Sequence, residues 1–93
     1  MTRPAPSAAP TTDDQLVEML RTIGERAVSS EQLDSKLLGR CLGWTPVQTS
    51  ESLVAAKARL LIWAIRVGGN PGPLFEDIEL TVQGRRFLTA AER

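Results

Sequence analysis

Apolar residues first recur at helical spacing at Leu16, Leu20, Ile23 and Ala27, supported by Val17 and Met19. Residues three and four apart share one face of a helix, so this run predicts an amphipathic helix of about three turns that frays near Gly24. Thr12 and Gln15 stand where a capping box would open it, and Asp13 and Asp14 sit in the first turn, where the helix dipole favours negative charge. A second apolar run, Leu33, Leu37, Leu38, Cys41 and Leu42, follows a similar box at Ser29 and Gln32 and stops at Gly43. Glycine there suits a left-handed helix end.

The third start signal is "TPVQ": Thr45 caps, Pro46 takes the first helical position and Gln48 completes the box. No glycine or proline interrupts the chain from there until Gly68. Near Leu61 the period changes to alternation, with Leu61, Trp63, Ile65 and Val67 on one side and Ile62, Ala64 and Arg66 on the other. "GGNPGP" makes a turn, and Leu74 to Leu80 returns as a partner strand. Its register is open, because a one-residue slip exchanges Phe75 and Glu76 between faces. Thr81 caps a last helix holding Val82, Phe87 and Leu88. The predicted order is α-α-α-β-β-α, and the short "GW" turn between the second and third helices has helix-turn-helix length.

A length of 93 residues permits one domain. The first 11 residues, with Pro4, Pro6 and Pro10 among small side chains, are expected to form a disordered tail, leaving residues 12–93 as the folded unit. Charges balance at 11 basic against 11 acidic, so any attraction to a polyanion must come from local asymmetry. Residues 48–66 carry net +2, whereas residues 74–80 carry −3. No apolar run is long enough to span a membrane, no signal-peptide core is visible, and the lone cysteine allows no internal disulfide. These features point to a reducing, cytoplasmic setting.

The same inventory points away from catalysis, metal and cofactor binding. There is no histidine and no tyrosine, and Cys41 lies in an apolar helical stripe where packing is the expected role. The carboxylate pairs Asp13/Asp14 and Glu76/Asp77 are adjacent in sequence, so their side chains diverge. "GGNPGP" lacks the lysine and following helix of a phosphate-cradling loop.

"LTVQGRRFL" follows the L-T-x-x-G-R-x-x-L pattern that closes the wing in many bacterial regulators, with Leu80, Thr81, Gly84, Arg85 and Leu88 at its positions. "SSEQLDSKLLG" is similar to their second helix. On these segments the chain resembles the winged helix-turn-helix superfamily across residues 12–93, in particular the multiple-antibiotic-resistance and phenolic-acid-regulator types. It departs from them in two ways. No glycine ends the third helix before the first strand, and the hairpin tip is neutral where theirs is commonly basic.

The resemblance implies a mainly α fold with a β-hairpin and a transcriptional regulator that binds duplex DNA as a homodimer. In such a fold the third helix enters the major groove. One arc of that helix collects Gln48, Glu51, Ser52, Ala55 and Arg59. Gln48 suits adenine, and Arg59 suits guanine or phosphate. Thr49 and Ser50 offer hydroxyls to the phosphate backbone, and Arg66, Arg85 and Arg86 offer cations to it.

The alternative is a protein-interaction module with little DNA affinity. Val47, Val54, Ala58 and Leu61 form one apolar stripe and Leu53, Ala56 and Leu60 a second, with Lys57 between them. The two together are wider than the single stripe one core requires. Leu53, Leu60 and an exposed Phe75, with Glu76, Asp77 and Glu79 of the second strand, would then meet a partner carrying a basic patch. Trp44 and Trp63 are expected in the core, and Arg66 is expected to pair diagonally with Asp77.

Overall fold

The computed structural model describes residues 12–27, 32–68 and 74–92. The expected tail over residues 1–11, Ser29 and most of the "GGNPGP" turn lie outside the described residues. Among the described residues four helices and a two-stranded antiparallel hairpin follow in the order α1 (Asp13–Ala27), α2 (Ser35–Leu42), α3 (Pro46–Ala58), β1 (Ile62–Arg66), β2 (Phe75–Leu80) and α4 (Val82–Ala91). The chain is therefore mainly α with one hairpin.

The helix ends follow the local chemistry. Gln15 N–H donates to Thr12 Oγ1 at 3.2 Å and Thr12 N–H to Gln15 Oε1 at 3.0 Å, so the box at α1 closes in both directions. Helix α1 continues unbroken through Gly24 to Ala27, with no fraying at the glycine. The start of α2 differs from expectation. Gln32 and Leu33 precede the helix, and Asp34 is the cap, accepting from Leu37 N–H at 2.8 Å. An ionised aspartate at this place satisfies an otherwise orphaned N–H and complements the dipole. Thr45 and Thr81 cap α3 and α4 as expected, accepting from Gln48 N–H and Gly84 N–H.

The C-terminal ends of α2 and α3 use one geometry. At α2, Gly43 has φ 71°, with Gly43 N–H on the Arg40 carbonyl and Trp44 N–H on that of Gly39. At α3, Leu60 has φ 61°, with Leu60 N–H on the Lys57 carbonyl and Leu61 N–H on that of Ala56. The glycine absent from the end of α3 is thus replaced by a leucine in the left-handed region.

The core collects Leu16, Met19, Leu20 and Ile23 of α1 with Leu38, Leu53, Ile62, Phe75 and Ile78. Trp44 is half-buried and packs against this cluster. Cys41, expected inside, is exposed, because the short α2 turns Leu38 and Gly39 inward and leaves Arg40 and Cys41 outside.

The hairpin pairs Ile62 with Leu80, Trp63 with Glu79, Ile65 with Glu76 and Arg66 with Phe75. Between the middle pairs one residue on β1, Ala64, stands against two on β2, Asp77 and Ile78, which makes a bulge, and Asp77 within it has φ 53°. The extra residue lets Phe75 and Ile78, three apart, both face the core. Two sequence expectations are corrected here: Phe75 is only 3% exposed, and Trp63 points away from the core at 69%. The expected Arg66–Asp77 ion pair does not form among the described residues, since Arg66 stands opposite Phe75 and Asp77 occupies the bulge. The other edge of β2 is fastened to Leu33 and to the first residue of α2, Ser35. Ile78 N–H donates to the Leu33 carbonyl at 3.1 Å, and Ser35 Oγ both accepts from Phe75 N–H at 2.7 Å and donates to the Phe75 carbonyl at 3.2 Å.

Candidate interaction surface

Helix α3 turns an unexpected face inward. Thr49, Ser50 and Ser52 are buried rather than groove-facing, as is Leu53, expected on a partner surface. Small hydroxyl-bearing residues fit where helices approach closely. Thr49 Oγ1 donates to the Thr45 carbonyl at 2.9 Å, and a Cβ on Gly39 of α2 would lie 3.0 Å from Thr49 Oγ1. The burial removes Thr49, Ser50 and Ser52 from contact with a base edge or phosphate, and Leu53 from contact with a partner.

What α3 leaves outside is Pro46, Glu51, Val54, Lys57 and Ala58, with Gln48 half-buried near its start. Lys57 and the capping Arg59 are exposed, and each makes a contact within the molecule. Lys57 Nζ lies 5.5 Å from the centroid of the Phe75 ring and so covers the buried aromatic. The Arg59 guanidinium lies 4.9 Å from the Phe87 centroid and donates to Asp13 Oδ1 at 3.2 Å. The outward face of α3 thus carries Val54 and Ala58 between one carboxylate at its first turns and the Lys57 ammonium at its last. Leu60, just beyond, is exposed.

The hairpin carries the more distinctive surface. Directly opposed residues of an antiparallel pair share a face, so Trp63 and Glu79 stand together, as do Ile65 and Glu76. All are exposed, with Ile65 at 54% and Val67 continuing the apolar row. Beside this face a groove of about 770 Å³ runs toward the end of α1, lined by Ala27, Gln32, Trp63, Ile65, Asp77 and Glu79 among others. Over both strands one arginine meets three carboxylates, leaving −2. Exposed aromatic and branched side chains in contiguity mark interaction sites more often than a solvated strand does.

Arg66 is exposed at the far end of β1, and Arg85 and Arg86 are exposed on α4. Arg85 lines a shallow depression with Glu79 and Leu80, and Arg85 and Arg86 together line another with Val82. The cations expected on a phosphate backbone are therefore spread over the hairpin end and α4, with carboxylates on the strand between them.

Sequence reading missed Trp63 and Ile65 as surface residues. A signal was present, because "FEDIEL" places its two largest apolar residues three apart, a spacing a regular strand cannot bury on one side without a bulge. Among the described residues no group of three or more His, Cys, Asp or Glu is arranged to hold a metal ion, and no helix is long and apolar enough to cross a membrane. Comparison with protein-family models, with curated proteins and with solved structures finds no match.

Proposed function

We propose that this chain is a protein-interaction domain of winged-helix layout whose docking surface is the outward face of the hairpin. The single observation that carries the reading is the cross-strand pairing of exposed Trp63 and Ile65 with Glu79 and Glu76. That arrangement suits a partner segment presenting apolar side chains flanked by lysines or arginines. Tryptophan is among the residues that most often anchor protein interfaces, and rim carboxylates steer and orient a basic partner. Duplex DNA is less well supported. The hydroxyls expected to meet it are buried, Lys57 and Arg59 are engaged internally, and the wing strand is acidic.

The test is a calorimetric titration with a synthetic peptide of alternating leucine and lysine, run beside a mobility-shift titration with random duplex DNA. The peptide is expected to bind the wild type, to bind Trp63→Ala and the Glu76→Lys/Glu79→Lys double variant much more weakly, and duplex is expected to stay unretarded at physiological salt. Salt-dependent duplex retention that falls in an Arg85→Ala/Arg86→Ala variant, with no response to the peptide, overturns the reading in favour of a DNA-binding regulator.

A further inference from the structure

The chain also carries a surface of the opposite character. Where α2 passes into α3, a groove of about 440 Å³ is lined by Trp44, Pro46 and Leu74, with the exposed Lys36 and Arg40 beside them. Lys36 and Arg40 are one helical turn apart and so project from one side of α2. Neither enters an ion pair among the described residues. The groove therefore offers an apolar floor and two cations, where the hairpin offers an apolar row and two carboxylates opposite it.

Resting on the docking reading above, we infer that the partner of the hairpin face is a second copy of this chain. Trp63 and Ile65 of one copy seat against Trp44, Pro46 and Leu74 of the next, with Glu76 and Glu79 meeting Lys36 and Arg40. The charges are equal in number and opposite in sign, +2 at the groove against −2 on the hairpin, within a chain whose total is zero. The spacings are compatible too. Glu76 and Glu79 are three positions apart on a bulged strand, a separation of about 10 Å or less, and long side chains reach across the difference from a helical turn of about 6 Å between Cβ atoms. Two hairpin faces stacked on each other would instead oppose −2 with −2, which disfavours the symmetric contact.

Different residues form the two halves of the contact, so it is heterologous. Each copy retains one unused face, and copies add head to tail until a ring closes or the supply of chain sets the length. The contact uses four named side chains of one copy and five of the next, against about 20–30 residues a side in a standard stable interface, which places the association in the weak, concentration-dependent range.

Sedimentation velocity of the full chain, from micromolar to near-millimolar concentration, reads this directly. The wild type is expected to gain average mass continuously with concentration and without a plateau at the dimer. Trp63→Ala, folded by circular dichroism, is expected to associate about thirtyfold more weakly, the loss typical of a central aromatic anchor. The decisive experiment is a charge exchange. Glu76→Lys/Glu79→Lys alone and Lys36→Glu/Arg40→Glu alone are each expected to stay at single-chain mass, and an equimolar mixture is expected to recover association.

A wild type that remains at single-chain mass throughout overturns the inference, as does a mixture that stays monomeric while the wild type associates. The docking reading is separable from it. If the wild type is monomeric yet binds the leucine–lysine peptide in a Glu76- and Glu79-dependent way, only the second-copy identity fails. If it does neither, both fail.

Discussion

Gly84 of α4 sits against the Leu61 carbonyl so closely that a Cβ at position 84 would overlap the oxygen. The same carbonyl accepts from Thr81 N–H at 3.1 Å, and Thr81 Oγ1 donates to the Leu60 carbonyl at 2.7 Å. The turn that leaves α3 is therefore clamped onto the first turn of α4, which fixes where β1 departs and which face of the hairpin looks outward. This gives a physical reason for the "LTVQG" spacing: the threonine caps and clamps, and the glycine admits the backbone.

From this follows the expectation for Gly84→Ala. Alanine in a helix is ordinarily favoured over glycine by about 1 kcal/mol. Here neither backbone can rotate away, and the overlap outweighs that gain, for a net loss of about 3 kcal/mol, at the upper end for overpacked sites. Urea unfolding monitored by circular dichroism measures it. An unchanged or raised midpoint would mean that α3 and α4 are not in this contact.

Leu60 invites the opposite change. It holds a left-handed conformation that costs an L-residue about 1–2 kcal/mol, and its side chain is mostly exposed, so little packing offsets that cost. Glycine relieves the strain but adds disorder to the unfolded chain, worth about 0.4–1 kcal/mol against it. Leu60→Gly is therefore expected to stabilise by about 0.5 kcal/mol, and Leu60→Ala, which keeps the strain, is not. Equal midpoints for the two variants would remove the strain from the account.

The element order was legible because three of its signals are local and chemical: Thr12, Thr45 and Thr81 each cap a helix through their hydroxyls. The start of α2 was misplaced to Ser29 because Asp34, inside the apolar run, offers an equally good cap and the sequence does not rank them. The surface was less legible for two physical reasons. Serine and threonine at helical spacing look alike whether they face solvent or a close-packed neighbour, because their hydroxyls can return to a carbonyl one turn back, as Thr49 does to Thr45. One extra residue at Asp77 also reassigns the face of β2 before it, which brings Phe75 into the core, while β1 turns Ile62 inward and Trp63 outward.

Two buried serines should respond in opposite directions. Ser52 Oγ has no hydrogen-bond partner among the described residues, so the folded state bears its desolvation without return. Ser52→Ala is expected to be neutral to stabilising by about 1 kcal/mol. Ser35 Oγ satisfies both the N–H and the carbonyl of Phe75 where β2 begins. Ser35→Ala is expected to cost about 1–3 kcal/mol by leaving those groups unpaired, with faster amide exchange at Phe75. A destabilised Ser52→Ala would show that its hydroxyl has a partner after all.

Arg59 separates the structural from the nucleic-acid reading of α3. Its guanidinium bridges α1 and α4 by lying over Phe87 and donating to Asp13, whose side chain is 76% exposed. An ion pair this open is worth about 0.2–1 kcal/mol and weakens with salt, and the ring contact adds about 0.5–1 kcal/mol. Arg59→Ala is therefore expected to lose about 1 kcal/mol of stability. Asp13→Ala should lose a smaller part that disappears at high salt, and Arg59→Lys should recover only some of the loss, because an ammonium lacks the planar stacking face. Duplex retention, measured on the same proteins by mobility shift, is expected to be unchanged. If Arg59→Ala instead leaves the urea midpoint where it was while lowering duplex affinity and flattening its salt dependence, the guanidinium faces phosphate in solution, and α3 is the surface that acts.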